Sequence, residues 1–171
     1  MDEQLRKVLS QLERKCSKCE CCSYDIFNKA VTLLAKASGS GEETEDVREK
    51  AGEMLELLKS NGYVDDCRYA AAFAREKSSL TGWGPVKIRF ALRGKHIDSD
   101  AIENAISGID SDRSTDRLLR LLEAKWKSLS GKDGKILPDS KLKLIKFALS
   151  RGYGYDEVKD AVEGVIRNGQ S

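Results

Sequence analysis

The stretch 62–97 limits the possible folds most, because it holds two amphipathic helical segments joined by a sharp turn. Asp65 and Asp66 stand where their carboxylates can cap the first helix and offset the positive end of its dipole. Gly84 and Pro85 close the joint, and proline suits the first turn of a helix because its missing N–H costs nothing there. The stretch therefore predicts a helix–tight turn–helix unit with one apolar and one basic side.

The two helices of this stretch are predicted to pack through one face each. In the first, Tyr69, Phe73 and Leu80 fall near one face, and the alanines between them fill thinner positions. The second helix is predicted to direct its basic side chains to solvent and its apolar ones to a core. The apolar set is Val86, Ile88, Phe90, Ala91 and Leu92.

Apolar residues recur at helical spacing along the rest of the chain, and no window shows sustained two-residue alternation. The pattern predicts nine helices and no sheet. Ser23 and Thr44 are predicted N-caps of the second and third helices, and Ser114 or Thr115 is predicted to begin the seventh. SGKDGK (130–135) is predicted to interrupt the chain before an eighth helix, which is introduced by Pro138-Asp139. That helix is predicted to turn inward Leu142, Ile145, Ala148 and Leu149.

The predicted helices fall into three groups of three. Residues 1–62 form an irregular first unit with an insertion at 38–43, and residues 63–110 and 111–171 form the second and third. FALRGKHIDSDAIENAI (90–106) parallels FALSRGYGYDEVKDAV (147–162), with the second copy one residue shorter. A period of roughly 50 residues built from helices indicates a tandem array.

The net charge is only +2, but the charges occur in blocks, with six basic and one acidic residue in 75–97. Such segregation can steer a charged partner. If the units share an orientation, their basic sides form one strip that contacts phosphates or an acidic protein groove. Arg68 is predicted either to fix its unit through a local ion pair or to contact the partner. The other candidate contacts are Lys87, Arg89, Arg93, Lys95, Lys143, Lys146 and Arg151.

Four cysteines in CSKCECC (16–22) have a spacing that could bind zinc or support thiol chemistry. A structural zinc site usually has a second ligand pair far along the chain, and here Cys67 and His96 are isolated. Small buried residues, Cys16 and Cys22 among them, are therefore the favoured interpretation of this cluster, and the alternatives are reactive surface thiols and a metal site. Its ligands would be Cys16, Cys19, Cys21 and Cys22.

No combination of residues predicts catalysis, since His96 is the single histidine and phosphate-binding glycine motifs are missing from the sequence. We expect a protein that is not an enzyme and that needs no cofactor. No apolar run approaches the roughly 20 residues of a membrane span, and the N-terminus is unlike a secretory signal. The expectation is a cytoplasmic monomer with reduced thiols that does not bind membranes.

GYVDDCRYAAAF (62–73) and GWGPVKIRFALRGKHI (82–97) resemble two linked motifs of the RecX family, bacterial regulators of the RecA recombinase. His96 departs from the family, which usually has glycine there. The resemblance is carried by Gly62, Tyr63, Asp65, Asp66, Arg68, Tyr69, Ala70, Phe73, Gly82, Gly84, Pro85, Ile88, Arg89, Leu92, Lys95 and Ile97.

The resemblance implies an all-α fold of three tandem three-helix, helix-turn-helix-like repeats in an elongated, curved array. It also implies binding along the groove of RecA filaments on DNA, inhibition of the recombinase, and a role in DNA recombination, repair and the SOS response. A weak direct contact with DNA is a further expectation. Two alternatives remain from the residues alone: a sequence-tolerant DNA-binding protein of helix-turn-helix-like units, and a thiol or zinc protein centred on residues 16–22.

Overall fold

A computed structural model describes residues 2–130 and 137–170, and these residues form nine α-helices and no strand. The prediction of an all-α fold is confirmed. None of these helices combines the length and apolarity that a bilayer crossing requires. The helices are α1 (Glu3–Lys18), α2 (Ser23–Ala37), α3 (Glu45–Ser60), α4 (Asp66–Ser79), α5 (Pro85–Gly94), α6 (Ser99–Ser107), α7 (Ser111–Leu129), α8 (Ser140–Ser150) and α9 (Tyr155–Gly169).

Helix starts follow the predicted capping chemistry in part. Thr44 caps α3, because its side chain accepts a hydrogen bond from the backbone N–H of Val47. The prediction for α7 was wrong by about one turn, since Asp110 caps it and Ser114 lies buried inside the helix. Ser23 is the first residue of α2, and Cys22 is its N-cap. Most of the predicted interruption at 130–135 lies outside the described residues.

The chain divides into two compact units, one of residues 1–72 with 93–102 and the other of residues 73–92 with 103–171. In the first unit, α2 packs against α1 and α3. In the second, α7, α8 and α9 pack against one another. The division into three-helix units at residues 62 and 110 stays a prediction. Fully buried members of the two cores include Leu12, Ile26 and Leu58, and Leu118, Leu122, Leu144, Val158 and Val162.

The predicted core faces of α4 and α5 need correction. Leu80 is 79% exposed, whereas Ala70 and Ala74 of α4 are completely buried. Val86 and Phe90 are 51% and 79% exposed, because the buried stripe of α5 consists of Ile88 and Leu92. Val86 and Phe90 each lie two residues from a buried position, which is about 200° around a helix of 3.6 residues per turn.

The predicted inward face of α8 was also wrong in part. Leu142 and Leu149 are 53% and 39% exposed, while Leu144 and Ala148 are buried. Leu144 and Ala148 are four residues apart and therefore share one face of the helix. Ile145 is partly buried beside them. Leu142 and Leu149 thus lie outside the narrow face through which α8 contacts the core.

Candidate partner-binding surface

The N-terminus of α5 is anchored by backbone hydrogen bonds to the turn after α8. The N–H of Gly84 donates to the carbonyl of Arg151 at 2.7 Å, and the N–H of Val86 donates to the carbonyl of Gly152 at 2.9 Å. Pro85 lies between them and has no N–H, so donors that a helix start normally leaves unpaired are satisfied here. A Cβ atom at Gly84 would lie 2.4 Å from the Gly152 carbonyl oxygen, so only glycine fits this approach.

Lys87, one of the predicted contacts, lies over an aromatic ring. Its Nζ is 4.4 Å from the ring centroid of Trp83, and Nζ of Lys77 is 5.2 Å from the same centroid. Phe73 meets the Trp83 ring edge-on at a centroid distance of 6.2 Å. The Lys87 ammonium is therefore already engaged in a cation–π contact within the second unit.

Arg89 is held by a carboxylate of α6. Its Nε lies 2.7 Å from Oε1 of Glu103, and its Nη2 lies 3.1 Å from Oε2, so the pair is bidentate. The Glu103 carboxylate raises the pKa of Arg89 by stabilising its charged form. The Arg89 side chain is only 29% exposed. Its guanidinium is thus committed to an internal partner and is poorly placed for phosphate.

The outer face of α5 is apolar. Val86 and Phe90 are four residues apart, lie on the same side of the helix and are both exposed. We call this pair the α5 apolar face. Large exposed apolar side chains in a cluster mark surfaces that associate with other molecules.

The basic residues of α8 fall into two kinds. Lys143 pairs with Asp139 at 3.0 Å, and Lys141 lies 3.9 Å from Glu163. Lys146 is exposed and forms no ion pair with any residue in the described ranges, and the same is true of Arg93 at the end of α5. Lys146 and Arg93 are therefore predicted contacts with available charge, and the guanidinium of Arg151, a third predicted contact, lies over the Phe147 ring at 5.3 Å.

Within the first unit, Arg68 and the neighbouring aspartates hold helix ends together. Nε of Arg68 lies 2.8 Å from both carboxylate oxygens of Glu20, and its Nη2 donates to the Gly62 carbonyl at 3.0 Å. Asp65 accepts from the backbone N–H of Arg68 at 3.0 Å and so caps α4. Asp66 instead accepts from the N–H of Ser23 at 2.7 Å, which satisfies the start of α2.

Lys95 and His96, also in the first unit, contact the start of α2. Nζ of Lys95 lies 2.8 Å from Asp25 Oδ1, and this carboxylate raises the pKa of Lys95. The His96 ring stacks on Tyr24 at a centroid distance of 4.4 Å. His96 has φ of 56°, the left-handed conformation that glycine adopts most readily. The sequence does not predict any of these contacts.

The cysteine cluster is mainly internal. Cys16, Cys21 and Cys22 are buried, as predicted for Cys16 and Cys22, while Cys19 is exposed. Burial raises the pKa of Cys16 and Cys21 and raises that of Cys22 to about 11, which keeps these thiols protonated. Among residues 2–130 and 137–170, no three His, Cys, Asp or Glu side chains are placed to hold a metal ion.

A basic cavity of about 380 Å³ lies within the second unit, beside α7. Three guanidinium groups line it, together with aliphatic side chains from α7 and from the segment after α4. We call it the arginine cavity. Arg117 and Arg120 were not among the predicted contacts, although their spacing with Leu121 and Ala124 is that of one helix face. The lining includes Leu80, Gly82, Arg117, Arg120, Leu121 and Arg151.

Comparisons with known proteins agree on one family. The family model for the second three-helix domain of RecX matches residues 65–106. Regulatory protein RecX of Clostridium botulinum strain Alaska E43 is 37% identical over 109 residues, which cover 64% of this chain and 50% of that protein. The Bacillus subtilis protein of the same name is 26% identical over 147 residues, which cover 81% of this chain and 54% of the relative. The chain therefore spans about half the length of these relatives.

The fold has also been seen before. The crystal structure of RecX from Lactobacillus salivarius superposes with a TM-score of 0.72 at 16% identity, covering 96% of this chain and 98% of that one. Helices and tight turns thus define an all-α protein built of short helical units. Within that class, the chain is similar to the RecX family of regulatory proteins, whose second three-helix domain matches residues 65–106.

Proposed function

We propose that this protein regulates DNA recombination and repair by binding RecA filaments on DNA, along their groove, and inhibiting the recombinase. The observation that carries the proposal is the α5 apolar face, which lies within the segment matched by the family model. Phe90 is 79% exposed although it belongs to a helix whose start is tightly anchored. A large apolar side chain on a rigid element is suited to binding another protein.

The charges around α5 support a protein partner over bare DNA. Phosphate contacts require available lysine and arginine side chains, and each contact steepens the dependence of affinity on salt. Arg89 and Lys95 are already paired with Glu103 and Asp25, and Lys87 lies over Trp83. An apolar surface with few available cations gains more from a protein surface than from phosphate.

Several weak contacts would act together on a filament. The available cations Arg93 and Lys146 are two of them, and contacts spread over neighbouring protomers add through effective concentration. The protein would act as a monomer, opposing filament growth or persistence and thereby lowering strand exchange and ATP turnover. Arg68 and Lys143 remain candidate contacts that would first have to leave their internal partners.

The test is RecA ATPase activity on single-stranded DNA, titrated with this protein. We expect inhibition at or below equal amounts of the two proteins, and we expect Phe90→Ala to raise the half-inhibitory concentration about tenfold, as for an interface hot spot. Leu137→Ala is the matched control, because Leu137 is 52% exposed and lies outside α5. An absence of inhibition would reject the function, and full inhibition by Phe90→Ala would reject α5 as the docking helix.

The DNA-binding alternative is measured in the same experiment. Binding of oligonucleotide without recombinase, at the affinity that inhibits the ATPase and with a steep salt dependence, would favour it. Arg93→Glu should then abolish binding, while Phe90→Ala should not. The proposal expects the reverse order of effects.

A further inference from the structure

The arginine cavity combines positive charge with aliphatic surface. Arg117 and Arg120 project from one face of α7, and Arg151 comes from the turn after α8. None of the described residues lining the cavity is acidic. All the lining residues belong to the second unit, and the cavity is separate from the α5 apolar face.

The guanidinium groups of the cavity lack anionic partners. Within the described parts of the chain, Arg117, Arg120 and Arg151 take part in no ion pair, and the buried Nε of Arg117 has no hydrogen-bond acceptor. A buried donor without an acceptor is unfavourable, and neighbouring like charges add repulsion. An anion in the cavity would remove both penalties. Guanidinium groups suit both carboxylates and phosphates, because two parallel N–H groups match two oxygens.

The aliphatic surface specifies the ligand further. Leu80 is 79% exposed at the cavity, and Leu121 and Ala124 of α7 line it as well. A sugar–phosphate backbone would satisfy the arginines but would leave Leu80 without an apolar contact. A polypeptide that carries a carboxylate beside an aliphatic side chain would satisfy both. The composition of the cavity therefore favours a peptide over nucleic acid.

We propose that the arginine cavity binds an acidic, leucine-containing segment of a protein partner. Arg117, Arg120 and Arg151 would hold its carboxylates, and Leu80 would pack against its aliphatic side chain. The inference rests on the proposed function for the existence of a protein partner. Its test needs no recombinase, so the two can fail separately.

The test uses the full chain and a short fluorescein-labelled peptide of alternating glutamate and leucine, with fluorescence anisotropy as the measurement. A lysine–leucine peptide and a labelled oligothymidylate are the comparison ligands. We expect the acidic peptide to bind more tightly than either. Arg120→Glu should weaken its binding by tenfold or more, since a hydrogen bond to a charged group is lost. Leu80→Ser should weaken it several-fold.

Lys159→Glu is the matched control, since it makes the same charge change at an exposed position of α9 outside the cavity. It should leave the affinity within twofold of the original. Arg120 and Leu80 are both exposed, so their variants should keep the helical circular dichroism and the unfolding midpoint. Failure of the acidic peptide to bind, or equal loss in Lys159→Glu and Arg120→Glu, would overturn the proposal. Tighter binding of oligothymidylate that Arg120→Glu abolishes would also overturn it, in favour of a nucleic-acid site.

Discussion

Helices α5 and α8 end in the same way but present different side chains to solvent. Each buries two apolar residues four apart, Ile88 and Leu92 in α5 and Leu144 and Ala148 in α8. Each is followed by a left-handed residue, with φ of 56° at His96 and 89° at Gly152. In both cases the next residue is buried, Ile97 after α5 and Tyr153 after α8.

The tripeptide Phe-Ala-Leu does not occupy equivalent positions in these two helices. In α5 the leucine is buried and Phe90 is exposed, whereas in α8 the alanine is buried and Leu149 is 39% exposed. Phe147 is partly buried, with Lys125 and Arg151 over its ring at 5.4 and 5.3 Å. The Phe-Ala-Leu tripeptide is thus displaced by one residue between the two helices when their buried positions are aligned. As a result, the phenylalanine of α5 is exposed on an apolar helix face, whereas the phenylalanine of α8 is covered by two cationic side chains.

The largest effect is expected at the left-handed residue after α8. In Gly152→Ala the new Cβ would lie 2.1 Å from Cβ and 2.5 Å from the backbone nitrogen of Lys87, at a φ of 89°. Overpacking and left-handed strain together should lower the free energy of unfolding by about 3 kcal/mol or more. Urea unfolding followed by circular dichroism measures the change.

Gly154→Ala is the control for this substitution. Gly154 lies two residues further on, its φ is −69°, and a Cβ there would meet no atom within 4 Å. Its free energy of unfolding should change by less than about 1 kcal/mol. Equal stability of Gly152→Ala and Gly154→Ala would show that the contact between α5 and the turn is not formed.

The two leucines of the displaced tripeptide should respond differently to truncation. Leu92 is fully buried, so Leu92→Ala should lower the free energy of unfolding by about 2–5 kcal/mol. Leu149→Ala removes a partly exposed side chain and should cost less than about 1 kcal/mol. Thermal and urea unfolding of the two variants measure the two losses of stability. Comparable losses would mean that the two leucines are structurally equivalent, as an alignment of the identical residues implies and an alignment of the buried positions does not.

The sequence predicted what local chemistry determines. Helical periodicity identified the all-α class, and the hydroxyl of Thr44 identified the start of α3. Ion pairs between residues that are distant in sequence carry no local signal. Arg68 and Glu20 are 48 residues apart, and Lys95 and Asp25 are 70 apart. The sequence therefore identified the basic residues but not the carboxylates that engage them.

The outward faces were missed for a related reason. In each of the short helices α5 and α8 only two apolar residues are fully buried, so an exposed apolar residue such as Phe90 or Leu142 cannot be distinguished from a core residue in the sequence. Only the packing partner decides which apolar residues are covered. The arginine cavity could not be predicted because its lining residues are distant in sequence. Leu80 and Arg151 come from separate segments of the chain.

The smallest effect is expected at His96, the counterpart of Gly152. His96→Gly should relieve about 1 kcal/mol of left-handed strain, but it also removes the stacking on Tyr24, which is worth about 0.5–1.5 kcal/mol. The free energy of unfolding should therefore change by less than about 1 kcal/mol in the original chain. In the Tyr24→Ala background the stacking is already lost, so the same substitution should stabilise the protein by about 1 kcal/mol. A double-mutant cycle by urea unfolding measures the difference. If His96→Gly has the same effect in both backgrounds, the ring contact contributes nothing, and strain alone distinguishes this turn from the one after α8.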